Sequence, residues 1–158
     1  MKKAGFIGVG NIANAIISGA ITSKILEPKD IVLYDVDANK LSNFSKKGCI
    51  IADSVKDLAN SIDLLFLTVK PQILTSVLED LKPHLKNDTL IISPVAGVKI
   101  EKINKRLGGN KKIIRVMPNT PLTYSAGATV ISVGEGVSQE QKDFCEKIFA
   151  SSGVTAIL

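Results

Sequence analysis

Gly8-Val9-Gly10-Asn11-Ile12-Ala13 is the stretch on which the fold turns. It fits the spacing G-x-G-x-x-A and joins two segments of different character. Ala4–Val9 is apolar and of strand length, and Ile12–Thr22 carries helical apolar spacing. A glycine pair alone is common and is equally compatible with a bare strand–helix turn. In this context each residue has a physical role. Gly8 allows the tight turn, Gly10 lets a pyrophosphate approach the backbone, and Ala13 is small enough for close helix–strand packing. The helix N-terminus offers free N–H groups and a partial positive charge to phosphates. Ile7, Gly8, Gly10, Asn11, Ile12 and Ala13 are therefore candidate dinucleotide-binding residues.

A carboxylate at the end of the second strand is the expected companion, because it meets the adenosine ribose hydroxyls. Asp35 follows Ala13 by 22 residues and ends the predicted strand Ile31–Asp35. Its charge would repel a 2′-phosphate, and Lys40 is the nearest cation after it. A cap on the next helix is the alternative role for Asp35.

Outward from this unit, strands and helices alternate. The sequence predicts a helix over Ala38–Lys47, a short strand over Cys49–Ala52 and a helix over Val55–Asn60 with Ser54 as N-cap. Leu64–Val69 is a strongly apolar strand. Pro71 opens a helix with Ile73, Val77, Leu78 and Leu81 on one face, and Pro83 ends it. Strands Thr89–Ser93, Ile113–Met117, Ala128–Val133 and Val154–Leu158 follow, with helices over Lys99–Leu107 and Gln139–Ala150 between them. The expected fold class is α/β, a Rossmann-type doubly wound, mostly parallel sheet with helices on both faces. Residues 1–158 form one such domain.

Composition sets limits on function. The chain is 45% hydrophobic and 22% charged, a globular balance, with no Trp and few aromatics, so the core is expected to be aliphatic. No apolar run is long enough for a membrane helix, and glycines interrupt the segment after Met1-Lys2-Lys3, which argues for a strand over a signal peptide. Cys49 and Cys145 fit no metal or redox spacing and are expected as buried free thiols, which makes the cytoplasm the default compartment. No metal site is expected. The net charge is +5, and seven Lys or Arg residues fall between Lys99 and Arg115. They alternate with a helical apolar pattern and lack interleaved aromatics, so a solvated helix face is expected rather than a nucleic-acid surface. His84 is expected at the surface.

Three further motifs lie at predicted strand ends, where open α/β sheets bind ligands. These are Val69-Lys70-Pro71-Gln72, then Ala96-Gly97-Val98, then Arg115-Val116-Met117-Pro118-Asn119-Thr120-Pro121 followed by Gly127. With Gly5-Phe6-Ile7-Gly8 at the start, the chain resembles the N-terminal part of the pyrroline-5-carboxylate reductases over essentially its whole length. The resemblance implies that Val69, Lys70 and Pro71 border the cofactor ribose and phosphates. It also implies that Val95, Ala96 and Gly97 lie near the nicotinamide, with Met117, Pro118 and Asn119 beside it. It implies NADPH or NADH as cofactor and a cyclic imine, 1-pyrroline-5-carboxylate, as the small-molecule substrate reduced to proline. Neither nucleic acid nor membrane is implied as a partner. Two departures from the family pattern are Ile12, where Met is frequent, and Pro94-Val95, where small residues are usual.

In that family a C-terminal helical domain supplies the substrate site, the hydroxyl donor to the imine and a dimer interface. Nothing here corresponds to it. The expectation is that this chain is the cofactor-binding part of a longer homo-oligomeric protein, and no catalytic residue is named. Two alternatives stay open: a β-hydroxyacid or 6-phosphogluconate-type dehydrogenase, and a non-enzymatic dinucleotide-sensing regulatory domain.

Overall fold

Strand β1 (Ala4–Ile7) is buried along its whole length, as are β4 (Leu64–Leu67) and β5 (Leu90–Ser93). Continuous apolar runs of this kind belong in a parallel sheet covered on both faces. The computed structural model describes residues 3–118, 127–151 and 153–157. Its remaining strands are β2 (Ile31–Tyr34), β3 (Ile50–Ile51), β6 (Lys112–Pro118), β7 (Gly127–Val133) and β8 (Gly153–Ile157). They form one sheet in the order β3-β2-β1-β4-β5-β6-β7-β8. Pairings from β3 across to β6 are parallel, β7 runs antiparallel to β6, and β8 is parallel to β7. The expected mostly parallel, doubly wound sheet is present.

Helices cover both faces. On one face α1 (Asn11–Thr22) and α6 (Gln139–Ala150) set Ala13, Ile16, Ile17, Ile148 and Phe149 against Phe6, Phe66, Ile92 and Val116. On the other, α3 (Val55–Ser61), α4 (Pro71–Leu81) and α5 (Ile100–Arg106) set Leu58, Leu74, Leu78, Leu81 and Ile103 against Ile7, Leu65, Leu67, Ile91 and Ile113. The core is mostly aliphatic, with Phe6, Phe44, Phe66 and Phe149 buried among the aliphatic side chains. Phe6 and Phe66 stack with centroids 4.4 Å apart, and Phe149 tilts against Phe66 at 6.5 Å. Both cysteines are buried and free.

Several boundaries differ from expectation. Strand β1 stops at Ile7 because Gly8 turns away with φ +90°. The single helix expected over Ala38–Lys47 is a 3-10 turn (Ala38–Lys40) followed by a short α2 (Ser42–Lys46). The Asp37 side chain accepts from Asn39 N–H at 3.0 Å and initiates the tighter i→i+3 winding instead. In α4 the buried face is Leu74, Val77, Leu78 and Leu81, while Ile73 is exposed. The Ser54 cap is present, accepting from Asp57 N–H at 3.1 Å. The strand expected over Val154–Leu158 is observed as Gly153–Ile157, and Leu158 lies outside the described residues.

Candidate dinucleotide-binding site

The parallel register places Ile7 opposite Tyr34 on one side and opposite Leu67 on the other. The chain therefore leaves β1, β2 and β4 at one level, and the segments that follow share one edge of the sheet. Gly8 begins the first of them. Its N–H donates to the Tyr34 carbonyl at 2.9 Å. Its positive φ strains any residue with a Cβ, and a Cβ there would lie 2.6 Å from the Thr68 carbonyl oxygen. Thr68 holds the turn from the β4 side. Its N–H donates to the Ile7 carbonyl at 3.0 Å, and its hydroxyl is within hydrogen-bond reach of the Ile7 and Gly8 carbonyls.

Gly10 differs from Gly8. Its φ of −97° is open to any residue, and a Cβ would meet nothing within 4 Å. Among the described residues nothing requires glycine there, and the space above it is open to an approaching group. Gly10 is the N-cap of α1, with no side-chain cap and no acidic residue in the first turn. By contrast, α3 is capped by Ser54, and α6 by a reciprocal Ser138–Gln141 box. The first-turn N–H groups of α1 thus keep their capacity for an anion. Asn11 and Ile12 are exposed beside them, while Ala13 is fully buried and supplies the close packing that its size suggests. Ile7 is buried and acts as scaffold.

Asp35 stands half-buried at the end of β2. Its Oδ2 accepts from Val9 N–H at 2.7 Å and its Oδ1 from Asp37 N–H at 2.8 Å. It does not cap the following turn; Asp37 does. The Asp35 carboxylate instead joins the glycine turn to the segment after β2. At the end of β4, Val69 packs within 3.0 Å of where a Gly8 Cβ would sit. Lys70 is the exposed N-cap of α4, which lacks a side-chain cap, and Pro71 occupies its first turn as expected.

After β5 Val95 is only 4% exposed and packs in the core, beneath the surface of this edge. Ala96 and Gly97 are exposed, with Gly97 at φ +73° and open space around it. Met117 and Pro118 close β6, and Met117 is 39% exposed. Asn119, with Thr120 and Pro121, lies outside the described residues. Ile12, Val36, Ile73 and Met117 are large exposed apolar side chains, and all sit in strand-end segments of this edge. Uncapped amides beside apolar surface suit a ligand with charged phosphates and flat rings.

Thr68 was not among the sequence candidates. Its signal is a lone hydroxyl closing the apolar run Leu64-Leu65-Phe66-Leu67. His84 is partly buried beyond the far end of α4, away from this edge. Among the described residues no group of His, Cys, Asp and Glu could hold a metal, and no helix is long and apolar enough to cross a membrane.

Comparison with known proteins agrees with this fold. The chain is 35% identical over 158 residues to the pyrroline-5-carboxylate reductase of Escherichia coli (strain K12), covering 99% of this chain and 59% of that protein. A solved pyrroline-5-carboxylate reductase from Coxiella burnetii superposes with a TM-score of 0.93 at 34% identity, covering 99% of this chain and 58% of the other. The Plasmodium falciparum pyrroline carboxylate reductase, solved with NADP bound, gives 0.87 at 29% identity over 99% and 57%. The chain thus spans a little over half the length of these relatives. The model of the family described as "NADP oxidoreductase coenzyme F420-dependent" matches residues 3–97, more than half of the chain, and the chain belongs to that family.

Proposed function

We propose that this chain is the cofactor-binding domain of an NAD(P)H-dependent reductase acting on 1-pyrroline-5-carboxylate. The observation that carries the proposal is the match of the whole chain, in sequence and in fold, to pyrroline-5-carboxylate reductases. Their names favour a cyclic imine over the hydroxyacid alternative. When bound, the reduced nicotinamide supplies a hydride to the imine carbon; the C=N electron pair moves to nitrogen, which takes a proton, and proline results.

The residues of this chain bind and orient. The α1 N-terminus and the Gly8–Gly10 turn take the pyrophosphate, Asp35 lies at the ribose end, and Lys70 and Pro71 border the ribose and phosphates. Ala96 and Gly97, supported from beneath by Val95, line the nicotinamide side together with Met117 and Pro118, and the family resemblance assigns Asn119 to the same role. The proton donor and the substrate carboxylate site belong to a further helical domain that also dimerises, and the protein works in the cytoplasm. Calorimetry with NADPH and NADH, followed by an imine-reduction assay, tests this division. Residues 1–158 are expected to bind dinucleotide yet turn over at least ~100-fold more slowly than the complete gene product, because orientation alone supplies large factors. Comparable turnover would place the active site within these residues, and absence of dinucleotide binding would remove the cofactor assignment.

A further inference from the structure

We propose that Asp35 makes this chain select NADH over NADPH, a departure from the NADP named in its family's description. The inference rests on the dinucleotide reading above and adds to it which dinucleotide is used. With the pyrophosphate on the α1 N-terminus, the adenosine ribose lies over the end of β2, where Asp35 stands. Each oxygen of that carboxylate spends one acceptor site on a backbone N–H, Val9 at 2.7 Å and Asp37 at 2.8 Å. Each retains capacity for a ribose hydroxyl. The same two bonds fix the carboxylate between the glycine turn and the turn after β2. A 2′-phosphate placed there would bring its negative charge against the carboxylate, and moving the carboxylate away would break both bonds.

The side chains of the segment that follows Asp35 do little to offset this repulsion. Recognition of a 2′-phosphate favours a cation beside the ribose, most often a guanidinium. The residue after Asp35 is Val36, apolar and 90% exposed. Asp37 then adds a second carboxylate, engaged at the start of the 3-10 turn. Lys40 is the one cation between Asp35 and Leu41, and it lies at the far end of that turn. The segment from Asp35 to Lys40 therefore carries two negative charges and one positive.

The test is calorimetric titration of the wild-type chain, Asp35→Ser and Val36→Arg with NADH and NADPH at one low salt concentration. Wild type is expected to bind NADH about tenfold or more tightly than NADPH, a gap that narrows as salt screens the charges. Asp35→Ser should collapse the ratio, chiefly by improving NADPH. Val36→Arg, on an exposed side chain that leaves packing intact, should shift the ratio toward NADPH. A merely structural Asp35 would weaken both ligands alike in Asp35→Ser and keep their ratio, which would overturn the proposal. Equal or tighter NADPH binding by wild type would also overturn it. Failure to bind either ligand would instead overturn the dinucleotide reading itself.

Discussion

At Gly8 an added Cβ would lie 2.6 Å from the Thr68 carbonyl oxygen, in a backbone conformation that L-residues avoid; at Gly10 it would meet nothing within 4 Å. The two glycines therefore answer to different tests. Gly8→Ala is expected to cost on the order of 3 kcal/mol of stability, read from urea unfolding, because the clash is with backbone and the φ is strained. Gly10→Val is expected to change stability by less than about 1 kcal/mol while weakening dinucleotide binding roughly 10- to 100-fold, the scale of a lost charge-assisted hydrogen bond. An unfolded Gly10→Val, or one with unaltered affinity, would contradict the assignment. The glycine spacing and Asp35 were legible in the sequence because their signal is local: a turn needs glycine, and a strand end needs a polar residue. What Asp35 bonds to was not legible, since Val9 lies 26 residues away. Thr68 was missed for the same reason, as its hydroxyl acts on carbonyls 60 and 61 residues distant.

Between neighbouring elements, direction was harder to read than identity. Each strand was recognisable from its apolar run, but such a run carries no arrow. The reversal of β7 relative to β6 had one available clue. Only eight residues separate Pro118 from Gly127, too few for the crossover a parallel neighbour needs. The buried face of α4 is offset by one position from the expected one, with Leu74 buried in place of Ile73, because both residues are apolar and the sheet decides which faces it. Helix α6 spans its expected residues, and its start explains why. Ser138 accepts from Gln141 N–H at 3.1 Å, and the Gln141 side chain accepts from Ser138 N–H at 3.0 Å, so the start is fixed by local chemistry. Ser138→Ala is expected to lower stability by about 1 kcal/mol. Dinucleotide affinity should not change, since α6 begins at the edge away from the glycine turn. Urea unfolding and calorimetry on the one variant check both halves.

For the molecule as a whole, the two cores meet at the sheet. Phe66, stacked on Phe6 and touched by Phe149, ties β1, β4 and α6 together. Phe66→Ala is expected to cost about 3–5 kcal/mol and to lower Tm accordingly. Alkali supplies a second global test. Burial, and secondarily the Glu146 charge, push the Cys145 thiol from an ordinary 9.0 up to about 12. Between those values the unfolded chain releases a proton that the folded chain retains, so this contribution is whole below pH 9.0 and declines as pH rises toward 12. Cys145→Ala should flatten that part of the urea-midpoint profile; an unchanged slope would show the thiol to be uninvolved. The direction of the strands has a practical consequence. β1 to β6 all begin at the edge opposite the glycine turn, and β7 and β8, running the other way, finish there. Ala4 and Ile157 consequently emerge on the same side. A biotin or a dye attached beyond either one, or a sensor surface reached through it, would leave the ribose and phosphate positions facing free solution, so immobilised and dissolved protein should give the same Kd.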